Sequence, residues 1–450
     1  MRRERDLTSG AITKTLVLLA LPIMGTSLIN MLYNLTDIMW LGRFSTKAVA
    51  AAGAVGFFMW FGSGIIMISQ IGVGIGVSQS YGKNDQKELA AYISNALKLD
   101  MILAIFYAVF LFLFRYKLIG FFNLQDPEVV DMAISYLEII CLGIIFHFLN
   151  PVISAIFNAT GNSLTPFIIN SIGLVANMIL DPVLIFGIGP IPAFGIRGAA
   201  IATSLSQFTV TMFFVLAIIK NRELFTDVKI FSKPDMKYIK KISKLGLPAF
   251  FQTSMHSGIN MIIAKFLASW GATAIAVQAT GSQIESISWM TAEGFSSAIT
   301  AFIGQNYGAK NYERVERGYI QGLKIVSLIG LFSGLLFIFA GESVFSIFIP
   351  DDPLAIVQGG SYLRILGYCQ IFLCIEIASM GAFNGIGEPR TPALVGMIFN
   401  AARIPMALVL SSTSLGLNGI WWSISVSTIF KGIVLTTLGI KRLRTKLNLE

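Results

Sequence analysis

The sequence predicts an all-α integral membrane protein, with twelve transmembrane helices in two parallel six-helix repeats. Three observations predict it. Long apolar runs recur through the whole chain. Basic residues gather in alternate loops. Finally, the chain matches itself when displaced by 226 residues.

Of the 450 residues, 55% are hydrophobic and 13% are charged, against about 25% charged in a soluble domain. A run of 18 or more apolar residues is long enough to cross a hydrocarbon core of roughly 30 Å. A soluble core buries one or two such helices, not a dozen in succession. The expected spans are 16–38, 48–80, 93–114, 130–157, 164–187, 198–219, 246–268, 273–304, 320–341, 355–384, 392–412 and 417–438. Several exceed the minimum, which implies tilt or helix continuing beyond the bilayer.

The net charge of +9 is distributed by loop. Arg2, Arg3 and Arg5 precede span 1. Lys83 and Lys87 follow span 2, and a basic stretch runs from Lys220 to Lys244. Lys310, Arg314 and Arg317 follow span 8, and Lys441, Arg442 and Arg444 close the chain. The intervening loops hold acidic turns at Asp126 and Asp351. By the positive-inside rule both termini are expected in the cytoplasm, in a multi-pass plasma-membrane protein. The basic N-terminus resembles a secretion signal, but its long run lacks a small-residue cleavage site, so a retained first span is expected. The polar stretch near the middle divides the chain into an N-lobe (1–219), a cytoplasmic linker (220–244) and a C-lobe (245–450).

The repeat is carried by clusters. Leu21-Pro22 aligns with Leu247-Pro248, and Gln79-Ser80-Tyr81-Gly82 with Gln305-Asn306-Tyr307-Gly308. Asp126-Pro127 aligns with Asp352-Pro353, and Thr165-Pro166 with Thr391-Pro392. Six spans per half is an even number, so both halves begin on the same side and are parallel repeats. Such repeats place a substrate site at their interface and work by rocking one half against the other.

Ionisable residues inside spans are costly and mark functional candidates. Asp37 lies late in span 1, after the helix-bending Pro22, and Asp181 lies in span 5. Asn177 is four residues before Asp181 and so shares its helix face. Two carboxylates and an amide offer hard oxygen ligands to a small cation, or a shared proton site. The alternatives are local: Asp37 ending a helix, and Asp181 capping a break before Pro182. Neither acid recurs, since Asp37 aligns with Ile263 and Asp181 with Ile404. The second half instead has Glu285, Glu293 and Glu376. These are substrate-cavity candidates for a cationic compound, or partners for Lys265, Arg403 or Lys431.

Other motifs carry less. Gly72-Val73-Gly74-Ile75-Gly76 lies inside an apolar helix and reads as close helix packing, not a nucleotide loop. No glycine-lysine phosphate loop exists, so the chain does not itself hydrolyse ATP. The three cysteines lie in apolar runs without metal or redox spacing, and His147 and His256 are isolated. No nucleophile–base pair is present, so an enzyme is not expected. Neither is a cofactor, and the charge distribution gives no reason to expect nucleic acid.

These motifs resemble the multidrug and toxic compound extrusion family, MATE, over nearly the whole chain. The resemblance rests on Leu21-Pro22, on Asn34 to Asp37 with Trp40-Leu41-Gly42, and on Gln305 to Ala309. It rests also on Asn158-Ala159-Thr160-Gly161 with Thr165-Pro166, on Asn177 to Pro182, and on Gly195 to Thr203. It implies a V-shaped transporter of two lobes that exports organic cations or drugs in exchange for protons or sodium ions by alternating access. The DinF-type branch is the most similar, and implies a cation or proton site at Asp37, Asn177, Asp181 and Thr203. The acids of spans 7 and 10 that mark the NorM-type branch are missing; His256 stands at the first position. Membrane lipids and small organic cations are the expected partners, and a monomer is expected. The alternative is a flippase for lipids or lipid-linked oligosaccharides of the same superfamily, whose cavity would be richer in Arg and Lys.

Overall fold

The computed structural model describes residues 6–230 and 232–447. Arg2, Arg3 and Arg5 lie outside the described residues. Every regular element among the described residues is helical. The first repeat holds α1 (Ile12–Phe44), α2 (Thr46–Gly82), α3 (Gln86–Gly120), α4 (Pro127–Ala159), α5 (Leu164–Phe186) and α6 (Ile196–Lys220). A single turn, α7 (Arg222–Phe225), follows. The second repeat holds α8 (Met236–Ala268), α9 (Ala272–Gly308), α10 (Tyr312–Ser346), α11 (Pro353–Gly367), α12 (Gln370–Gly385), α13 (Arg390–Ser411) and α14 (Leu417–Leu447).

The repeat seen in the sequence is a repeat of helix boundaries. Displaced by 226 residues, α2 and α3 coincide end to end with α9 and α10, and α4 coincides with α11 and α12 together. The cause is local chemistry at the turns. Asp85 caps α3 by accepting from the Glu88 N–H, and Asn311 caps α10 by accepting from the Arg314 N–H. Asp126 and Asp352 cap α4 and α11, each followed by a proline in the first turn, where the missing N–H costs nothing. Gly161 (φ +91°) and Gly387 (φ +80°) occupy matching left-handed positions that let the chain reverse.

Among the described residues nine helices are long and apolar enough to cross a membrane, and α11 with α12, taken together as one bent span, makes ten. Helices α8 and α9 have the length, 33 and 37 residues. They carry more polar residues, among them Gln252, His256 and Asn260 on α8 and Gln278, Gln283, Glu285 and Glu293 on α9. Span 10, expected as one helix over 355–384, is broken at Tyr368–Cys369 with a bend of 50°. The break frees backbone carbonyls, and side chains take them up: Ser425 Oγ donates to the Ile365 carbonyl at 3.0 Å, and Cys369 Sγ to that of Leu366 at 3.2 Å.

By contact the chain forms two compact units. One spans Gly25–Leu247, and the other joins Asp6–Met24 to the chain from Pro248 onward. The divisions therefore fall beside Pro22 in α1 and at Pro248 in α8. In the first unit α4 packs against α2, α3 and α6, with α5 on α6. In the second, α11 and α12 hold the position of α4, against α9, α10 and α14. The start of α1 is tied into the second unit by Arg314, whose guanidinium donates to the carbonyls of Leu7, Ser9 and Gly10.

The segment after α6 is docked on α3. The Lys229 N–H donates to Ser94 Oγ at 3.0 Å and the Asp235 N–H to Asn95 Oδ1 at 2.8 Å. Lys98 Nζ donates to Ser232 Oγ at 2.8 Å, and the Phe225 ring packs at a tilt against Phe157. Gly72 and Gly76 of the glycine run serve packing. A Cβ at either would collide with Ile242 of α8 or Tyr92 of α3.

Candidate cation site in the first unit

Helix α1 continues seven residues past Asp37, and α5 runs unbroken through Pro182. Neither aspartate ends or caps a helix. Instead α1, α5 and α6 bring Asp37, Asn177, Asp181 and Thr203 together. Thr203 Oγ1 donates to Asp37 Oδ2 at 3.4 Å, and Asn177 Nδ2 donates to Asp181 Oδ1 at 3.3 Å. Asn177 and Asp181 also stand beside the Asp37 carboxylate. Asn177 and Asp181 are fully buried.

Close packing makes this possible. Gly198 lets α6 approach α5 so nearly that a Cβ there would strike the Leu184 carbonyl. Gly173 of α5 lies against Val210 of α6 in the same way. The small residues of Gly195 to Thr203 are thus what brings Thr203 to the aspartates.

Among the described residues, three buried oxygens at this point have no hydrogen-bond donor: Asp37 Oδ1, Asp181 Oδ2 and Asn177 Oδ1. Two carboxylates side by side in a low-dielectric interior cannot both stay ionised without a compensating charge. The arrangement fits a shared proton, or a small cation that prefers oxygen ligands. Two tyrosines complete the surroundings. The Tyr33 hydroxyl donates to the Thr203 carbonyl at 3.3 Å, and Tyr136 of α4 stands beside both aspartates and Thr203. Tyr33 was legible, being four residues before Asp37 on one helix face. Tyr136 had no local signal.

The second unit holds its charges differently. Lys431 Nζ lies 2.9 Å from Glu376 Oε1 and also donates to Asn400 Oδ1 at 3.4 Å. Arg403 donates to Ser427 Oγ at 2.8 Å and Thr428 Oγ1 at 3.1 Å. Glu285 accepts from Gln370 Nε2 at 3.2 Å and the Tyr362 hydroxyl at 3.5 Å, next to the break between α11 and α12. Glu293 is half-buried two turns further along α9. His256 meets Asn260 at 3.0 Å on its own helix. Glu376 thus has the lysine partner that the sequence offered as an alternative, while Glu285 is held by neutral donors.

Comparison with known proteins agrees with this architecture. Residues 22–183 and 248–409 match the MatE family, and the two matched stretches stand 226 residues apart. The chain is 31% identical over 425 residues to the probable multidrug resistance protein NorM of Thermotoga maritima, covering 93% of this chain and 90% of that one. It is 26% identical over 445 residues to an FAD transporter of Shewanella oneidensis, covering 96% and 95%. Its fold matches an outward-facing multidrug resistance MATE family transporter of the MOP superfamily with a TM-score of 0.90, over 99% of each chain at 23% identity.

These matches make the chain a multi-pass membrane transporter, not an enzyme. The chain belongs to the MatE family, the MATE multidrug transporters.

Proposed function

We propose that this chain is a secondary antiporter of the plasma membrane, with both termini cytoplasmic. It exports organic cations or drugs in exchange for protons or sodium ions. The observation that carries the reading is the pair Asp37 and Asp181, whose facing buried oxygens lack donors. A proton or cation satisfies them, and its release leaves two like charges that favour rearrangement of α1 against α5 and α6. Pro22 removes a backbone hydrogen bond from α1 and is where that helix bends most cheaply. Substrate and cation are coupled if each prefers a different conformation. Glu285 and Glu293 are the cavity acids assigned to attract a cationic substrate, and the protein works as a monomer among membrane lipids.

The flippase alternative draws no support from the relatives named above. It also needs free basic groups for a phosphate-bearing lipid, whereas Lys431 is paired with Glu376 and Arg403 is engaged by hydroxyls. The test is transport in proteoliposomes, with a proton gradient and a sodium gradient imposed separately on a fluorescent organic cation. Uphill movement driven by one gradient names the coupling ion. Movement indifferent to both gradients refutes antiport.

A further inference from the structure

Helix α3 carries a carboxylate that the exchange site does not use. Asp100 is fully buried, and among the described residues neither of its carboxylate oxygens has a hydrogen-bond partner. Ser69 of α2 stands beside it, also fully buried and with its hydroxyl unpartnered. The parts of the chain packed on α3 include α2, α4, α7 and the segment after α6. Among the described residues none of these presents a charged or titratable group to Asp100, and Ser69 is its polar neighbour. Lys98, two residues earlier on α3, is turned away to Ser232.

An ionised carboxylate in this setting has no ion partner and no exposure to solvent, which is the most costly way to bury charge. A hard metal cation requires several oxygen ligands, and one serine hydroxyl does not supply them. A proton removes the charge and gives the carboxyl an O–H to donate. We propose that Asp100 is a second proton-binding site in the first unit, separate from the Asp37–Asp181 pair.

Its position gives that proton a mechanical consequence. The turn of α2 around Ile68 to Gly72 is where the start of α8 seats, because Gly72 leaves room only for Ile242, and Gly246 only for Ile68. Asp100 lies beside Ser69 of that turn. Five residues earlier on α3, Asn95 holds the segment leading into α8 through the Asp235 N–H. Losing the proton puts an uncompensated charge beside the turn of α2 that seats α8 and favours admitting water by loosening that contact. Proton occupancy at Asp100 therefore reports, and biases, whether the start of α8 stays seated on α2. The assignment does not depend on the exchange reading above.

Infrared spectroscopy of the purified protein in lipid nanodiscs tests it through the carbonyl stretch of a protonated carboxylic acid at neutral pH. The native spectrum minus that of Asp100→Asn is expected to contain such a band. The same band is expected when the subtraction is repeated in an Asp37→Asn/Asp181→Asn background. Identical native and Asp100→Asn spectra overturn the proposal. A band that appears only after sodium is removed assigns the site to a metal cation and also overturns it. Should Asp100→Asn fail to fold, Asp100→Glu serves instead: a shifted band supports the assignment, and an unshifted one refutes it.

Discussion

The Lys431 ammonium lies 2.9 Å from the Glu376 carboxylate inside the second unit, with side-chain exposures of only 7% and 4%. A pair so deeply buried is costly to break from one side, because the surviving charge has no water to turn to. Lys431→Met is expected to destabilise the protein by about 3–5 kcal/mol. Removing both charges with Glu376→Gln and Lys431→Met is expected to recover most of that loss. Thermal unfolding of the three variants in detergent measures it. A double variant no more stable than the single one contradicts the account.

Glycines divide by what surrounds them. Gly198→Ala drives a methyl group into the Leu184 backbone, which has no rotamer to yield, while Gly74 faces open space. The expectation is a loss of about 1–3 kcal/mol for Gly198→Ala, and unchanged or slightly raised stability for Gly74→Ala. Because α6 carries Thr203 to Asp37, the first variant is also expected to weaken transport. Melting temperatures and a transport assay on the pair decide the matter.

At the turn before α4, Lys47 bonds to both Asp126 and Glu128. The Lys47 hydrogen bond, followed by the Glu128 backbone N–H, holds the Asp126 carboxyl below the usual carboxylate range. A carboxyl depressed in the folded state contributes stability above its unfolded value and loses it as pH falls through the folded value. The group is on the surface, so the effect is small and weakened by salt. Asp126→Asn is therefore expected to flatten the acid side of the melting-temperature profile at low salt and to match the native protein at high salt. An unchanged acid limb at low salt rules out the contribution.

Much of this architecture is legible because it is written in local chemistry. The caps at Asp85, Asp126, Asn311 and Asp352 recur at fixed spacing, so both helix ends and the repeat show in the sequence. Asn177 and Asp181 reveal a shared face by their four-residue spacing, and Asp37 stands out as an acid in an apolar run. What is not local was not legible. The break at Tyr368–Cys369 has no proline to announce it, and it is stabilised by Ser425 from a helix far along the chain. Tyr136 reaches the aspartates only through the packing of α4 against its neighbours. Thr203 entered by family resemblance, since nothing in its own neighbourhood marks it. One acid in the first half of α3 reads in the sequence like an interfacial residue, and only its burial sets Asp100 apart.

The central claim is that Asp37 and Asp181 bind the exchanged cation. The most direct test compares two modes of transport in proteoliposomes for the native protein, Asp37→Asn and Asp181→Asn. One mode is uphill accumulation driven by the coupling gradient; the other is exchange of labelled for unlabelled substrate with no gradient. The account predicts that each variant loses gradient-driven accumulation by at least about tenfold, the equivalent of 1.4 kcal/mol, while substrate exchange persists. Undiminished gradient-driven accumulation in both variants would contradict it.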